Sequence, residues 1–136
     1  MHLLAGMDAA SQLDTVELNE TLSAAAQSLL NHFSQVTFIV QDGCEWIRDY
    51  KGSLYDFIFA DTWPGKFSEL DETLALLALG GIYFIDDLLP QLNWPQGHQG
   101  KVDELRTALG SRRNLLCTSL DWATGLMICV KIREGS

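Results

Sequence analysis

A chain of 136 residues, 47% apolar and 20% charged, is long enough to bury one sizeable core, so a single domain over residues 1–136 is expected. A net charge of −9 repels phosphate backbones, and Arg112-Arg113 is the only basic doublet, so the reading is no nucleic acid. No apolar run is long enough to span a bilayer, and MHLLAGMDAASQL lacks a basic n-region, so no membrane partner is expected. Cys44, Cys117 and Cys129 have no metal-type spacing and read as reduced thiols, which points to a cytoplasmic protein.

In chain order, His2 to Ala9 suits a helical turn or two. Leu13 to Leu18 reads as a strand ending near Glu17, followed by Asn19 in an N-cap position. Leu22, Ala25, Ala26, Leu29, Leu30 and Phe33 recur at helical spacing, which predicts a helix over 20–32 with one apolar face. Val36 to Val40 is β-branched and aromatic, a second strand that ends on Gln41-Asp42-Gly43. Cys44 to Asp49 suits a short helix, and Tyr55 to Ala60 a third strand. Ser68 with Asp71 marks a helix start, with Leu70, Leu74 and Leu77 as its buried stripe and Gly80-Gly81 as its stop. Ile82 to Ile85 is a fourth strand, Leu89 to Gln99 a loop, and Lys101 to Leu109 a helix facing inward through Val102, Leu105 and Leu109. Asn114 to Leu120 and Leu126 to Ile132 are joined by Asp121-Trp122-Ala123-Thr124-Gly125, so they predict an antiparallel hairpin.

Strands alternating with helices imply an α/β fold with a mostly parallel sheet covered on both faces. Ligands in such folds bind beyond the carboxyl ends of the strands. Glu17, Asp42, Asp61 and Asp86-Asp87 each follow a strand, so the fold is expected to bring them to one rim. A carboxylate in the place of Glu17 accepts two hydrogen bonds from a ribose diol, and one in the place of Asp42 accepts from an exocyclic adenine amine. Asp61, Asp86 and Asp87 form an oxygen-rich set of the kind that hard cations such as Mg²⁺ prefer.

The stretches LDTVELN, VTFIVQDGCEWI, YDFIFADTWPGKF, LLALGGIYFIDDLLP and WATGLMICVKI resemble the class I S-adenosylmethionine (SAM)-dependent methyltransferases. Within them, the chain is similar to the catechol/caffeoyl-CoA-like O-methyltransferases. The resemblance implies a Rossmann-like fold with a C-terminal antiparallel hairpin. It also implies SAM as cofactor, O-methyl transfer, and a small-molecule hydroxyl as acceptor. Glu17 would bind the cofactor ribose and Asp42, with Gly43 beside it, the adenine. Asp61 would border the cofactor and take the first position of a divalent cation, Mg²⁺ or another, with Asp86 next. Asp87 stands where metal-dependent relatives carry Asn.

Two departures accompany the resemblance. The family's first strand and glycine-rich loop are missing, because HLLAGMDAA looks like the latter part of the helix that follows that loop. The expectation is a fold truncated at the N-terminus. That strand lies between those ending at Glu17 and Asp61, so its loss should leave a gap or force direct pairing. A homodimer or strand exchange would cover the apolar surface. The second departure is Pro64-Gly65, inserted before the lysine that serves as general base in metal-dependent relatives. Lys66 with Asp61 is the catalytic candidate. His98 and Trp94 are read as parts of a loop beside the rim, and Trp46 and Trp63 as stacking or packing groups. Two other classes compete. One is a catalytically inactive methyltransferase remnant that serves as a binding or structural module. The other is a phosphoacceptor receiver domain, suggested by DFIFADTWPG; a receiver, however, needs its acidic pair before that Asp, and lacks the hairpin.

Overall fold

The computed structural model describes residues 2–135. The chain divides into two compact units, Met1–Asp49 and Tyr50–Ser136. Among the described residues, six strands form a two-stranded and a four-stranded sheet.

The first unit holds α1 (His2–Gly6), β1 (Leu13–Glu17), α2 (Glu20–Leu30), β2 (Val36–Val40) and α3 (Gly43–Asp49). β1 and β2 run parallel in the register Leu13↔Val36 to Glu17↔Val40, which brings both carboxyl ends to one side. Asn19 caps α2 as its sequence position predicts: its side chain accepts from the backbone N–H groups of Thr21 and Leu22. The predicted apolar face of α2 is not covered in its unit. Leu22 is 59% and Leu29 72% exposed, and the buried residue of this helix is the small Ser23. A two-stranded sheet is too narrow to cover a stripe of leucines, so helical periodicity identified the element correctly but not the face that is buried.

The second unit holds β3 (Tyr55–Ala60), α4 (Leu70–Ala75), β4 (Leu77–Ile85), α5 (His98–Gly110), β5 (Leu115–Leu120) and β6 (Leu126–Lys131). Its sheet has the order β3-β4-β6-β5. β3 and β4 are parallel, and β6 runs antiparallel to both β4 and β5, so the predicted hairpin is present. One face carries the core. Leu77, Tyr83, Ile85 and Cys129 from the sheet pack with Leu74 of α4 and with Val102, Leu105 and Leu109 of α5. On the opposite face Phe57 and Phe59 are 40% and 44% exposed, touching Phe84 at 6.2 and 5.7 Å between centroids. The expectation of cover on both faces therefore fails in this unit.

The junction of α4 and β4 corrects the predicted helix. Leu77 and Gly80-Gly81 belong to β4, not to α4. The Tyr55 N–H donates to the Leu76 carbonyl (2.8 Å), which draws Leu77 onto β3 as the partner of Tyr55, fully buried. The pairing then jumps from Tyr55↔Leu77 to Phe57↔Ile82, and Gly80 absorbs the irregularity with φ +82°. Sequence periodicity cannot distinguish a buried leucine at the end of a helix from one that opens a strand.

Lys131, only 5% exposed, stabilises the same junction from β6. Its ammonium donates to the carbonyls of Leu77 (2.7 Å) and Leu74 (3.4 Å) and pairs with Glu134 at 3.4 Å. Lys131→Met should lower the unfolding free energy by about 2 kcal/mol, since two buried carbonyls lose a charged donor. Urea unfolding of both proteins checks this.

Cys117 and Cys129 are opposite one another in the β5-β6 register, with Cα atoms 4.0 Å apart, and are paired as a disulfide. This overturns the expectation of three reduced thiols. Two cysteines twelve residues apart meet because the hairpin turn sets their register, which spacing alone does not reveal. Among the described residues no helix is long and apolar enough to cross a membrane.

Candidate functional site

Asp61 and Asp86 directly follow the parallel strands β3 and β4, whose last pair is Ala60↔Ile85. The sheet alone thus places the two acids side by side at its carboxyl edge, with Asp87 next to them. Both strands therefore deliver the acids that follow them to the same open end of the sheet.

Beyond Asp61 the chain folds into a compact turn. The Trp63 carbonyl accepts from the N–H groups of Lys66 (3.3 Å), Phe67 (2.9 Å) and Ser68 (3.3 Å), and the Gly65 N–H donates to the Ser68 carbonyl (2.8 Å). Gly65, at φ +79°, makes the reversal possible. The hydroxyl of the fully buried Tyr83 on β4 donates to the Gly65 carbonyl, fixing the turn to the sheet. Burial pushes the Tyr83 phenol well above its ordinary pKa, so it stays a donor. Tyr83→Phe should cost about 1–2 kcal/mol, the worth of a buried carbonyl left unpaired. Amide exchange should speed up most across residues 63–68; an unchanged rate there would show that the hydroxyl does not fix the turn.

That turn buries Lys66, which is 3% exposed. Its ammonium donates to the Asp86 backbone carbonyl at 2.5 Å and lies over the Phe67 ring at 5.2 Å. Burial lowers the pKa of Lys66, against the pull of Asp87, Asp61 and Asp86, which favour its charged form. Asp61 is shifted the other way. Partial desolvation, then Asp87 and Asp86, raise its carboxyl, while Lys66 opposes them.

The acids differ in their freedom to bind. Asp86 Oδ1 accepts from the Thr124 hydroxyl and from the Asp87 N–H (2.7 Å). Asp87 takes a left-handed backbone (φ 57°). The following residues are held by the hairpin turn: Leu88 N–H donates to Gly125 O (3.0 Å) and Leu89 N–H to Thr124 O (2.8 Å). Tyr83, Thr124 and Gly125 were not sequence candidates, because each meets its partner, Gly65, Asp86 or Leu88, only through contacts distant in sequence.

The expected metal set is not formed. Among the described residues, no group of three His, Cys, Asp or Glu side chains is arranged to hold a metal ion. Asp61, Asp86 and Asp87 do lie close enough to perturb one another, but the positive charge among them is Lys66, and an Asp86 oxygen is already committed to Thr124 and Asp87. The residues present do not fit a divalent cation.

A cavity of about 350 Å³ opens at this edge, lined by Asp61, Trp63, Lys66, Asp87, Trp94 and His98 among others. His98 is the first residue of α5, not part of the preceding loop; Gly97 at φ +84° starts the helix one turn earlier than apolar spacing indicates. Its ring lies 4.5 Å from Trp94 and 5.3 Å from Phe67, and Trp63 packs on Phe67 at 4.9 Å between centroids. The result is an aromatic wall beside one ammonium and two carboxylates.

In the first unit, Glu17 and Asp42 lie at the shared carboxyl end of β1 and β2, both half-buried. Each also has a local role. Glu17 Oε1 accepts from the Asn19 N–H (2.8 Å), and Asp42 Oδ1 accepts from Cys44 N–H (2.9 Å) and Glu45 N–H (3.1 Å). Asp42 thereby caps α3, with Gly43 as the first helical residue. Aspartate followed by glutamate three positions on is legible in the sequence as a capping signal.

No protein-family model matches the chain, and no curated protein matches it in sequence. Solved structures do match. TomG, an O-methyltransferase from Streptomyces achromogenes solved with SAM, is similar over 95% of this chain and 66% of its own, with TM-score 0.79 and 18% identity. The chain has the Rossmann-like methyltransferase fold. The SAH-bound O-methyltransferase from Bacillus cereus matches over 95% of this chain and 66% of its own, with TM-score 0.77 and 18% identity. A Staphylococcus aureus protein assigned as a caffeoyl-CoA O-methyltransferase matches at TM-score 0.76 and 23% identity, over 88% of this chain. The present chain spans 64% of that protein's length, so the methyltransferase fold is shared over about two thirds of such structures.

Proposed function

We propose that this chain carries out SAM-dependent methyl transfer to the hydroxyl oxygen of a small molecule. The observation that carries the proposal is the buried Lys66 ammonium beside Asp61 in an aromatic-walled cavity at the carboxyl ends of β3 and β4. The SAM- and SAH-bound neighbours of the same fold support the choice of cofactor.

SAM, when bound, supplies an electrophilic methyl on a sulfonium: the S–CH₃ bond breaks as O–CH₃ forms, and sulfur keeps the electron pair. The chain's part is to deprotonate and orient the acceptor. Asp61, made more basic than usual by desolvation and then by Asp87 and Asp86, accepts the hydroxyl proton. The Lys66 ammonium stabilises the negative charge that develops on oxygen. Lysine was expected as the base; burial lowers its pKa against the pull of Asp87, Asp61 and Asp86, but its ammonium already donates to the Asp86 carbonyl, which suits the electrostatic role. Trp63 and Trp94 present flat apolar surface to an acceptor ring. Glu17 and Asp42 read the nucleoside with the oxygens their capping bonds leave over.

Calorimetric titration with SAM tests this: binding in the micromolar range is expected, and Glu17→Ala should weaken it by about 1–3 kcal/mol. The second reading, a non-catalytic remnant, is favoured by one observation, the capture of both nucleoside candidates by local backbone N–H groups. Silence toward millimolar SAM would establish that reading and end the first.

A further inference from the structure

We propose that the Cys117–Cys129 disulfide is a reversible redox switch that sets how firmly the β5-β6 turn and the Tyr83 hydroxyl hold the edge of the candidate site. Its place in the sheet carries the inference. Cys129 of β6 is in register with Cys117 of β5 on one side and with Tyr83 of β4 on the other, so the three stand in one row on one face of the sheet. Cys129 and Tyr83 are fully buried. Both flanks of that row reach the site. The Tyr83 hydroxyl donates to the Gly65 carbonyl, in the turn that carries Lys66. On the hairpin side the Thr124 hydroxyl donates to Asp86, and the Gly125 and Thr124 carbonyls accept from the N–H groups of Leu88 and Leu89. Reduction moves the two sulfurs from bonded to van der Waals separation, and a close-packed row must widen to take them.

The fold provides for both states. β5 ends its sheet and Cys117 is half-buried, so a thiolate can reach the Cys117 sulfur while Cys129, in the core, is the leaving group. The Leu109 carbonyl oxygen, in the last turn of α5, stands 3.7 Å from Cys117 Sγ and can accept from that sulfur once it carries a proton. The register from Leu115↔Lys131 to Leu120↔Leu126 rests on the backbone, so the hairpin survives reduction and is loosened by it. The co-reactant is a small thiol-disulfide couple such as glutathione. Its thiolate attacks Cys117 Sγ, the S–S bond breaks, and Cys129 leaves as a thiolate that takes up a proton. A second glutathione thiolate then resolves the mixed disulfide, which gives the Cys117 thiol and oxidised glutathione. The reverse passes two electrons and two protons from the cysteines to oxidised glutathione.

The inference is independent of whether SAM binds. The protein is equilibrated in glutathione buffers of graded redox ratio, and differential alkylation with peptide mass mapping reads the state of Cys117 and Cys129. Amide exchange is then compared between the oxidised and reduced forms. The pair should convert reversibly in one two-electron transition. Reduction should speed exchange by about tenfold or more across residues 63–68, 86–89 and 121–125, while the paired residues 57–60 and 82–85 keep their protection. Cys117→Ser should show the fast exchange in every buffer. A pair that stays reduced in oxidised glutathione would overturn the proposal, as would equal exchange in the two forms. Protection lost equally from 57–60 and 82–85 would also overturn it, since the disulfide would then be a staple for the whole sheet. These outcomes are read on wild type and stand even where Cys117→Ser does not fold.

Discussion

Lys66→Met should slow methyl transfer by about 10²–10³-fold while SAM affinity changes little, the loss expected when one preorganised donor to a developing oxyanion is removed. Methionine removes the ammonium from over the Phe67 ring and leaves the Asp86 carbonyl without its donor. The pH dependence separates this role from a merely structural one. On the proposed mechanism the wild-type rate requires Asp61 ionised and Lys66 protonated. Asp61 is raised from its ordinary value of 3.8 and Lys66 lowered from 10.5, so activity climbs as Asp61 loses its proton and declines as Lys66 does, over a plateau narrower than free side chains would give. In Lys66→Met the alkaline decline should vanish. The acidic limb should move to higher pH, because Lys66 is what holds Asp61 down against desolvation, Asp87 and Asp86. His98 lines the same cavity and Lys101 lies over Trp63 at 5.2 Å, so Lys101→Met is the control for nearby charge. Single-turnover rates across pH read all of this, and an alkaline limb that persists in Lys66→Met would remove Lys66 from the chemistry.

Gly125→Ala should destabilise the protein by about 2–5 kcal/mol, the sum of a strained backbone and an overpacked contact. Gly125 has φ +89°, and a Cβ there would stand 2.5 Å from the Leu89 nitrogen and 3.0 Å from the Leu88 carbonyl carbon. Both neighbours are backbone, so neither can rotate away. The contact also bears on the site. Leu88 N–H donates to Gly125 O, and Thr124 binds Asp86, so displacing the hairpin turn displaces the segment that faces Lys66. Thermal unfolding should show the loss, and a variant as stable as wild type would mean that the turn can move freely without cost.

Much of the fold was legible before the structure. The strands at Tyr55 to Ala60 and Leu126 to Lys131 are short apolar runs between turn residues, and Asn19 caps a helix where its position predicts. The methyltransferase resemblance rested on those stretches, and the fold agrees. The errors share one cause: they arose where a residue's partner is distant in sequence. Leu77 looked helical until Tyr55 claimed its strand, and the leucines of α2 looked buried until the sheet beneath proved too narrow. Cys117 and Cys129 looked like free thiols until the hairpin register set them face to face.

The site divides in the same way. By itself, the sequence determined that acids follow the strands, since a residue after a parallel strand must emerge at the sheet's carboxyl edge whatever else the chain does. Only the tertiary structure decided which charge stands among them. The position of Lys66 depends on a turn closed by Gly65, fixed by Tyr83 and met by a carbonyl twenty residues further on, contacts of long range that no local pattern encodes.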